Sequence, residues 1–210
     1  DYFYTEAEQC RLSGDYASAM ELYRHCLDIQ KDSPSVLFNL GVSYMHLRED
    51  SLGLSLLRQA AEKEPGNPWL YDYLAAIYLE NNDVANSIKA LEHLASLQTK
   101  RSDVLSQLFS LYKSVGNTDA ALASLSRIET LEGKSPQLAI QKFSLLMDLE
   151  RSDEAFAELK KLCEEFPYDQ NCKLIMANQY LLYGDTLQAK ALYDEVARIE
   201  PSNINLQLSL

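Results

Sequence analysis

Small and large apolar residues recur along this chain at a fixed interval of 34 positions. One column reads Ala7, Gly41, Ala75, Phe109, Phe143, Ala177, small in four rows of six. A second, Cys10, Tyr44, Tyr78, Tyr112, Leu146, Tyr180, is aromatic in four of six. Ala19, Gly53, Ser87, Ala121, Ala155 and Ala189 are all small, whereas Tyr23, Leu57, Leu91, Leu125, Leu159 and Tyr193 are all large. Cys26, Ala60, Leu94, Ile128, Leu162 and Val196 complete the set as an apolar column. Within a row, Ala7 and Cys10 share one helix face, and Ala19, Tyr23 and Cys26 share another, because residues three or four apart stack on the same side of a helix. Two stripes per row predict two helices per row, and the small positions let their backbones approach.

The breaks between stripes fit this division. All six prolines fall at the joints: Pro34, Pro68 and Pro136 open rows, and Pro65, Pro167 and Pro201 close them. Proline is tolerated in the first turn of a helix and ends a preceding one. A second break inside each row falls at Gly14-Asp15, Glu49-Asp50-Ser51, Asn82-Asp83, Gly116-Asn117, Arg151-Ser152-Asp153 and Gly184-Asp185. Glycine allows a left-handed turn there, and Asp, Asn or Ser caps the next helix.

A helix-turn-helix period of this length with these columns resembles the tetratricopeptide-repeat (TPR) family. The resemblance implies an all-α, right-handed TPR superhelix of antiparallel helix pairs. It divides residues 1–203 into six units, 1–33, 34–67, 68–101, 102–135, 136–169 and 170–203. Residues 204–210 are expected to begin a further helix, which implies a piece cut from a longer chain. Phe109 and Phe143 in the small column, with Glu6, Lys142 and Lys173 in apolar slots, depart from the family pattern and predict altered helix spacing in rows four and five.

In TPR arrays the first helix of each row lines the concave surface. Carried onto this chain, that resemblance places Tyr4, Glu8 and Arg11, then Phe38, Val42, Met45 and His46, then Trp69, Asp72, Tyr73, Ala76 and Leu79 on the groove. Lys113 follows in row four, beside Asp103, Ser106 and Ser110. Ile140, Ser144 and Met147, then Leu174, Asn178 and Leu181, occupy rows five and six. Aromatic and thioether side chains offer large, adaptable contact area. The first three rows therefore predict a groove for a protein or peptide segment, extended or helical and apolar; the other possibility is that neighbouring helices cover these side chains. Of the positions at which one TPR subclass clamps a terminal carboxylate, only Asn39 matches, which disfavours that mode.

The formal charge of −12, from 19 basic and 31 acidic residues, repels phosphate backbones and argues against nucleic acid as the main partner. No apolar run reaches the length of a membrane span, so membrane insertion is not expected. Gly133-Lys134-Ser135 ends like a phosphate-binding loop, but Ile128 stands where the required first glycine belongs. His25, His46 and His93 lie in different rows with no metal-ligand spacing, and no Ser/His/Asp set is brought together. The sequence therefore predicts a non-catalytic scaffold or adaptor with no cofactor and no metal site. The alternatives are an array that self-associates through its terminal helices, or a sensor segment of a larger protein. Of the four cysteines, Cys163 and Cys172 lie at the facing ends of adjacent helices, within possible disulfide reach, while Cys10 and Cys26 fall in core columns as free thiols. Tyrosine-rich leading helices in plain rows also resemble exported bacterial TPR proteins, which points to the cell envelope.

Overall fold

The computed structural model of the protein describes residues 2–199, and every regular element among them is a helix. In order these are α1 Tyr2–Leu12, α2 Tyr16–Ile29, α3 Pro34–His46, α4 Asp50–Lys63, α5 Pro68–Glu80 and α6 Val84–Leu97. They continue as α7 Ser102–Ser114, α8 Thr118–Glu132, α9 Pro136–Asp148, α10 Ser152–Glu165, α11 Gln170–Leu182 and α12 Thr186–Ile199. The fold divides between Val104 and Leu105 into two compact units. In the first, α1 packs on α2, α2 on α3, α3 on α4, α4 on α5 and α5 on α6. In the second, α8 packs on α9, α9 on α10, α10 on α11 and α11 on α12.

Local chemistry fixes the helix ends. Pro34, Pro68 and Pro136 each begin a helix, where the missing N–H breaks no intrahelical bond. Asp15, Asp83, Asn117, Ser135 and Asp169 cap α2, α6, α8, α9 and α11, each side chain accepting a backbone N–H of the first turn. Between paired helices one residue turns left-handed, with φ of 83° at Gly14, 66° at Arg48, 58° at Asn82, 73° at Gly116, 57° at Glu150 and 81° at Gly184. The next residue bonds back across the turn, as Asp15 N–H does to the Cys10 carbonyl and Glu49 N–H to the Tyr44 carbonyl. The sequence placed the second and fifth breaks one residue later. The helix register fixes where the chain reverses, so Arg48 and Glu150 adopt the left-handed conformation although neither is a residue that favours it.

The repeating columns form the core. Every member of the column from Ala19 to Ala189 is buried, as is every member of those from Tyr23 to Tyr193 and from Cys26 to Val196. Removing a side chain the size of Leu57 or Leu91 from water contributes about 1.5–3 kcal/mol. In the first unit α3 and α4 meet backbone to backbone. A Cβ built on Gly41 would meet the Gly53 carbonyl oxygen at 2.9 Å, and one on Gly53 would meet the Gly41 carbonyl oxygen at 2.8 Å. Here two backbones touch with no side chain between them.

Phe109 and Phe143 are half-buried, so large groups at this column still pack partly into the protein. The lysines in apolar slots are met by counter-charges. Lys142 and Lys173 are both 6% exposed, and their ammonium groups pair with Glu129 and Glu195. A buried ammonium is tolerated only with such a partner. The four cysteines are free thiols, including Cys163 and Cys172, for which a disulfide had been possible from their spacing. Burial instead pushes the Cys163 thiol up to about 11 and the Cys172 thiol higher still, which disfavours the thiolate that disulfide chemistry needs.

Candidate functional site

The residues that the sequence assigns to a groove in the first unit come from α1, α3 and α5, and the structure separates them into distinct roles. Trp69 is 57% exposed at the start of α5, where Asn67 caps the helix by accepting the Trp69 N–H. Its indole packs on the Phe38 ring at 4.5 Å between centroids, and Tyr73 lies 6.1 Å from it one turn further along. Phe38 and Tyr73 meet edge to face at 5.1 Å. Mutual edge-to-face and tilted packing of this kind stabilises an aromatic cluster beyond its buried area. Beside it opens a cavity of about 220 Å³, whose wall joins Tyr4 of α1, Phe38 and Asn39 of α3, and Trp69 of α5, with Glu64 at one side.

Phe38 itself is only 7% exposed, and Val42 is equally buried. Both were assigned to the groove surface; both are almost wholly buried, and Phe38 lines the cavity while it supports the indole from beneath. Met45 lies against the α3–α4 crossing: a Cβ on Gly53 would stand 2.7 Å from its Cγ and Sδ. Asp72 is half-buried and ion-paired to Arg101 at 3.2 Å. Leu79 is exposed near the end of α5. Lys113 is exposed in α7, in the second unit.

Next to the cavity runs a polar network centred on Glu8. Arg11 donates to both Glu8 oxygens, with Nη2 at 2.8 Å from Oε2, and Asn39 Nδ2 donates to Glu8 Oε1 at 2.7 Å and to Tyr4 Oη at 2.9 Å. The Tyr23 hydroxyl, in the large apolar column, also donates to Glu8. Burial raises the Glu8 carboxyl, but the hydrogen bonds from Arg11 and Tyr23 and the Arg11 charge outweigh it, so Glu8 is held below the usual carboxylate range. Burial and the Glu8 charge push the Tyr4 and Tyr23 hydroxyls up. Tyr73 is raised mainly by burial and next by Glu80, with Arg11 acting the other way. Asn39 is thus committed to the network and is not a free amide for a ligand carboxylate.

Sequence reasoning missed this network. Tyr23 stands 15 residues after Glu8, and at the far end of the chain Tyr193 donates to Asn178 Oδ1 at the same separation of 15. The signal was present: the large column is tyrosine only in its first and last rows, and each tyrosine faces a polar residue on the preceding helix.

Among the described residues no group of three or more His, Cys, Asp or Glu side chains is arranged to hold a metal ion. No helix among them is long and apolar enough to cross a membrane. Each histidine packs on an aromatic ring: His25 on Phe3 at 4.4 Å, His46 on Tyr16 at 3.9 Å and His93 on Tyr71 at 3.9 Å.

No family model matches the sequence. Solved structures share its architecture. A tetratricopeptide repeat protein from Parabacteroides merdae ATCC 43184 superposes over 98% of this chain and 81% of its own, with a TM-score of 0.56 and 19% identity. MamA covers 79% of this chain and 91% of its own at a TM-score of 0.54 and 19% identity. YrrB, described as a TPR protein with an unusual peptide-binding site, covers 89% and 96% at a TM-score of 0.52 and 15% identity. In sequence, the chain is similar to the photosystem I assembly protein Ycf3 of Prochlorococcus marinus (strain MIT 9303), 24% identical over 113 residues. That match spans 52% of this chain and 65% of the relative's length. The fold of this chain is therefore the all-helical repeat fold of TPR proteins.

Proposed function

We propose that this chain is a non-catalytic protein-interaction scaffold, and that the face built by α1, α3 and α5 in its first unit binds a protein segment. The observation that carries the reading is Trp69: a large indole held half in water on a rigid aromatic base, beside an open cavity. A protein seldom leaves such a group exposed within a contiguous apolar patch unless a partner covers it, and tryptophan is the residue type most often dominant in contacts. The names of the similar proteins point the same way, YrrB through peptide binding and Ycf3 through assembly. The division of residues 1–203 into six units belongs to the same proposal. Tyr4, Arg11, Asp72, Tyr73 and Leu79 supply the rim of the contact, with Phe38 as its floor.

A second reading, self-association through the terminal helices, draws on a separate observation. Leu12 and Ile29 are exposed in the first helix pair, and Leu182, Tyr183 and Leu187 in the last. Photo-crosslinking separates the two readings. A benzophenone amino acid at position 73 is expected to capture a partner protein, while one at position 187 captures none. A crosslink to a second copy of the chain from position 187, with none from position 73, would reverse the assignment.

A further inference from the structure

We propose that the cavity beside Trp69 receives an arginine side chain of the bound segment, stacked on the aromatic rings with its guanidinium paired to Glu64. The inference rests on the reading of this face as a protein contact and names the chemistry of its occupant. Size gives the first indication. At about 220 Å³ the cavity lies below the range of small-molecule sites, so it takes one side chain of a larger partner and not a whole ligand. Its walls supply the second. Three aromatic rings, Tyr4, Phe38 and Trp69, line it, and the Phe38 and Trp69 planes meet at 52° with centroids 4.5 Å apart. The negative faces of such rings attract a cation, tryptophan most strongly.

Charge separates a cation from a neutral apolar group. Glu64 is the charged residue on the wall, and no lysine or arginine among the described residues joins it there. Its carboxylate accepts a neutral donor, Asn67 Nδ2 at 3.1 Å, while the Asn67 side-chain oxygen accepts the Trp69 N–H at 3.2 Å. One asparagine thus holds the carboxylate beside the indole. Three basic side chains of the surrounding helices each have an acid of their own: Arg11 pairs with Glu8 at 2.8 Å, Lys63 with Asp32 at 3.3 Å, and Arg101 with Asp72 at 3.2 Å. Acidic residues outnumber basic ones across the first unit. Asn39 turns both amide hydrogens to Glu8 and Tyr4 and offers neither to an anion. Arginine fits these walls better than lysine, because a planar guanidinium stacks on a ring and still aims its N–H fork at a carboxylate.

The test uses the whole chain labelled with ¹⁵N and titrated at constant ionic strength with an acetylated, amidated tripeptide that carries arginine between two alanines. A second tripeptide has citrulline, the neutral isostere, in place of arginine. The arginine peptide is expected to shift the Trp69 indole resonance and the amides of Phe38, Asn39, Trp69 and Leu70 saturably. The citrulline peptide should bind at least about tenfold more weakly. Glu64→Gln removes the charge and keeps the shape, and Trp69→Leu removes the ring and keeps an apolar group; each should weaken the arginine peptide about tenfold, a loss of about 1.4 kcal/mol. Should Trp69→Leu lose helix content, Glu64→Gln and the citrulline peptide decide alone. Absence of saturable shifts with the arginine peptide overturns the proposal, as does equal binding of the citrulline peptide or unchanged affinity in either folded variant. A partner that still crosslinks to position 73 after such a result leaves the scaffold reading standing, so the two fail separately.

Discussion

Replacing Gly41 with leucine tests the packing on which the first unit depends. Gly41 sits in α3 against Gly53 and Leu57 of α4, and its missing side chain is what lets the two backbones meet. An added Cβ would lie 2.9 Å from the Gly53 carbonyl oxygen and 3.0 Å from Leu57 Cγ, before the three outer carbons of leucine are placed. A backbone oxygen cannot rotate away, and Leu57 is fully buried, so the helices must separate. Overpacking of this kind costs about 1–3 kcal/mol. Leucine is the better helix former, which returns up to about 1 kcal/mol. The net expectation is a loss of about 1–2 kcal/mol. With a urea slope of roughly 1–3 kcal/mol/M, the unfolding midpoint followed by helical circular dichroism should fall by roughly 0.5–1 M. Gly66→Ala is the control, because a Cβ there meets nothing within 4 Å, and its effect should stay within about 0.5 kcal/mol. An unchanged or raised midpoint in Gly41→Leu, at an unchanged slope, would refute the contact between α3 and α4.

Other consequences are open to direct measurement. Arg48 carries a φ of 66°, so Arg48→Gly should relieve left-handed strain and raise stability by about 0.5–1 kcal/mol in thermal or urea unfolding; a loss of stability would show that its side chain matters more than its backbone. Glu8 is held below its usual titration range, so the stability it contributes is present above the unfolded carboxylate value and is lost as pH falls through the lower folded one. Glu8→Gln should therefore flatten the acid limb of the stability profile, and an identical limb in both proteins would contradict the network. Four thiols should titrate in the unfolded, unreduced protein, and in the native state Cys163 and Cys172 should react far more slowly with a disulfide reagent at pH 8; a count of two would establish a bridge.

The architecture was legible because it rests on a repeated pattern. Burial of Ala19, Tyr23 and Cys26 and of their counterparts follows from spacing along one helix, which the sequence displays directly. Contacts between helices were less accessible. Phe38, Val42 and Met45 lie on the face of α3 that periodicity leaves free, yet their burial depends on how α4 and α5 approach, and spacing within one helix says nothing of that. The same holds for Lys142 and Lys173, whose partners Glu129 and Glu195 stand on neighbouring helices. Arg48 and Glu150 were misplaced by one position because residue preference was read ahead of register. Trp69 stays exposed in the first turn of α5, directly after Pro68, and Tyr73 one turn further on is half-buried beside it.

The central claim is tested most directly by the affinity of a crosslinked and identified partner segment for the wild-type chain, Trp69→Ala and Glu164→Ala. Trp69 is the sole tryptophan, so its fluorescence reports occupancy of the site in the wild-type protein, and anisotropy of a labelled segment reports binding in all three. Binding should blue-shift the Trp69 emission. Truncating Trp69 should weaken affinity by about 2 kcal/mol or more, roughly thirtyfold, with helix content unchanged, while Glu164→Ala binds as the wild type does. Full affinity in a folded Trp69→Ala protein, with no change in Trp69 emission when the wild type binds, would contradict the account.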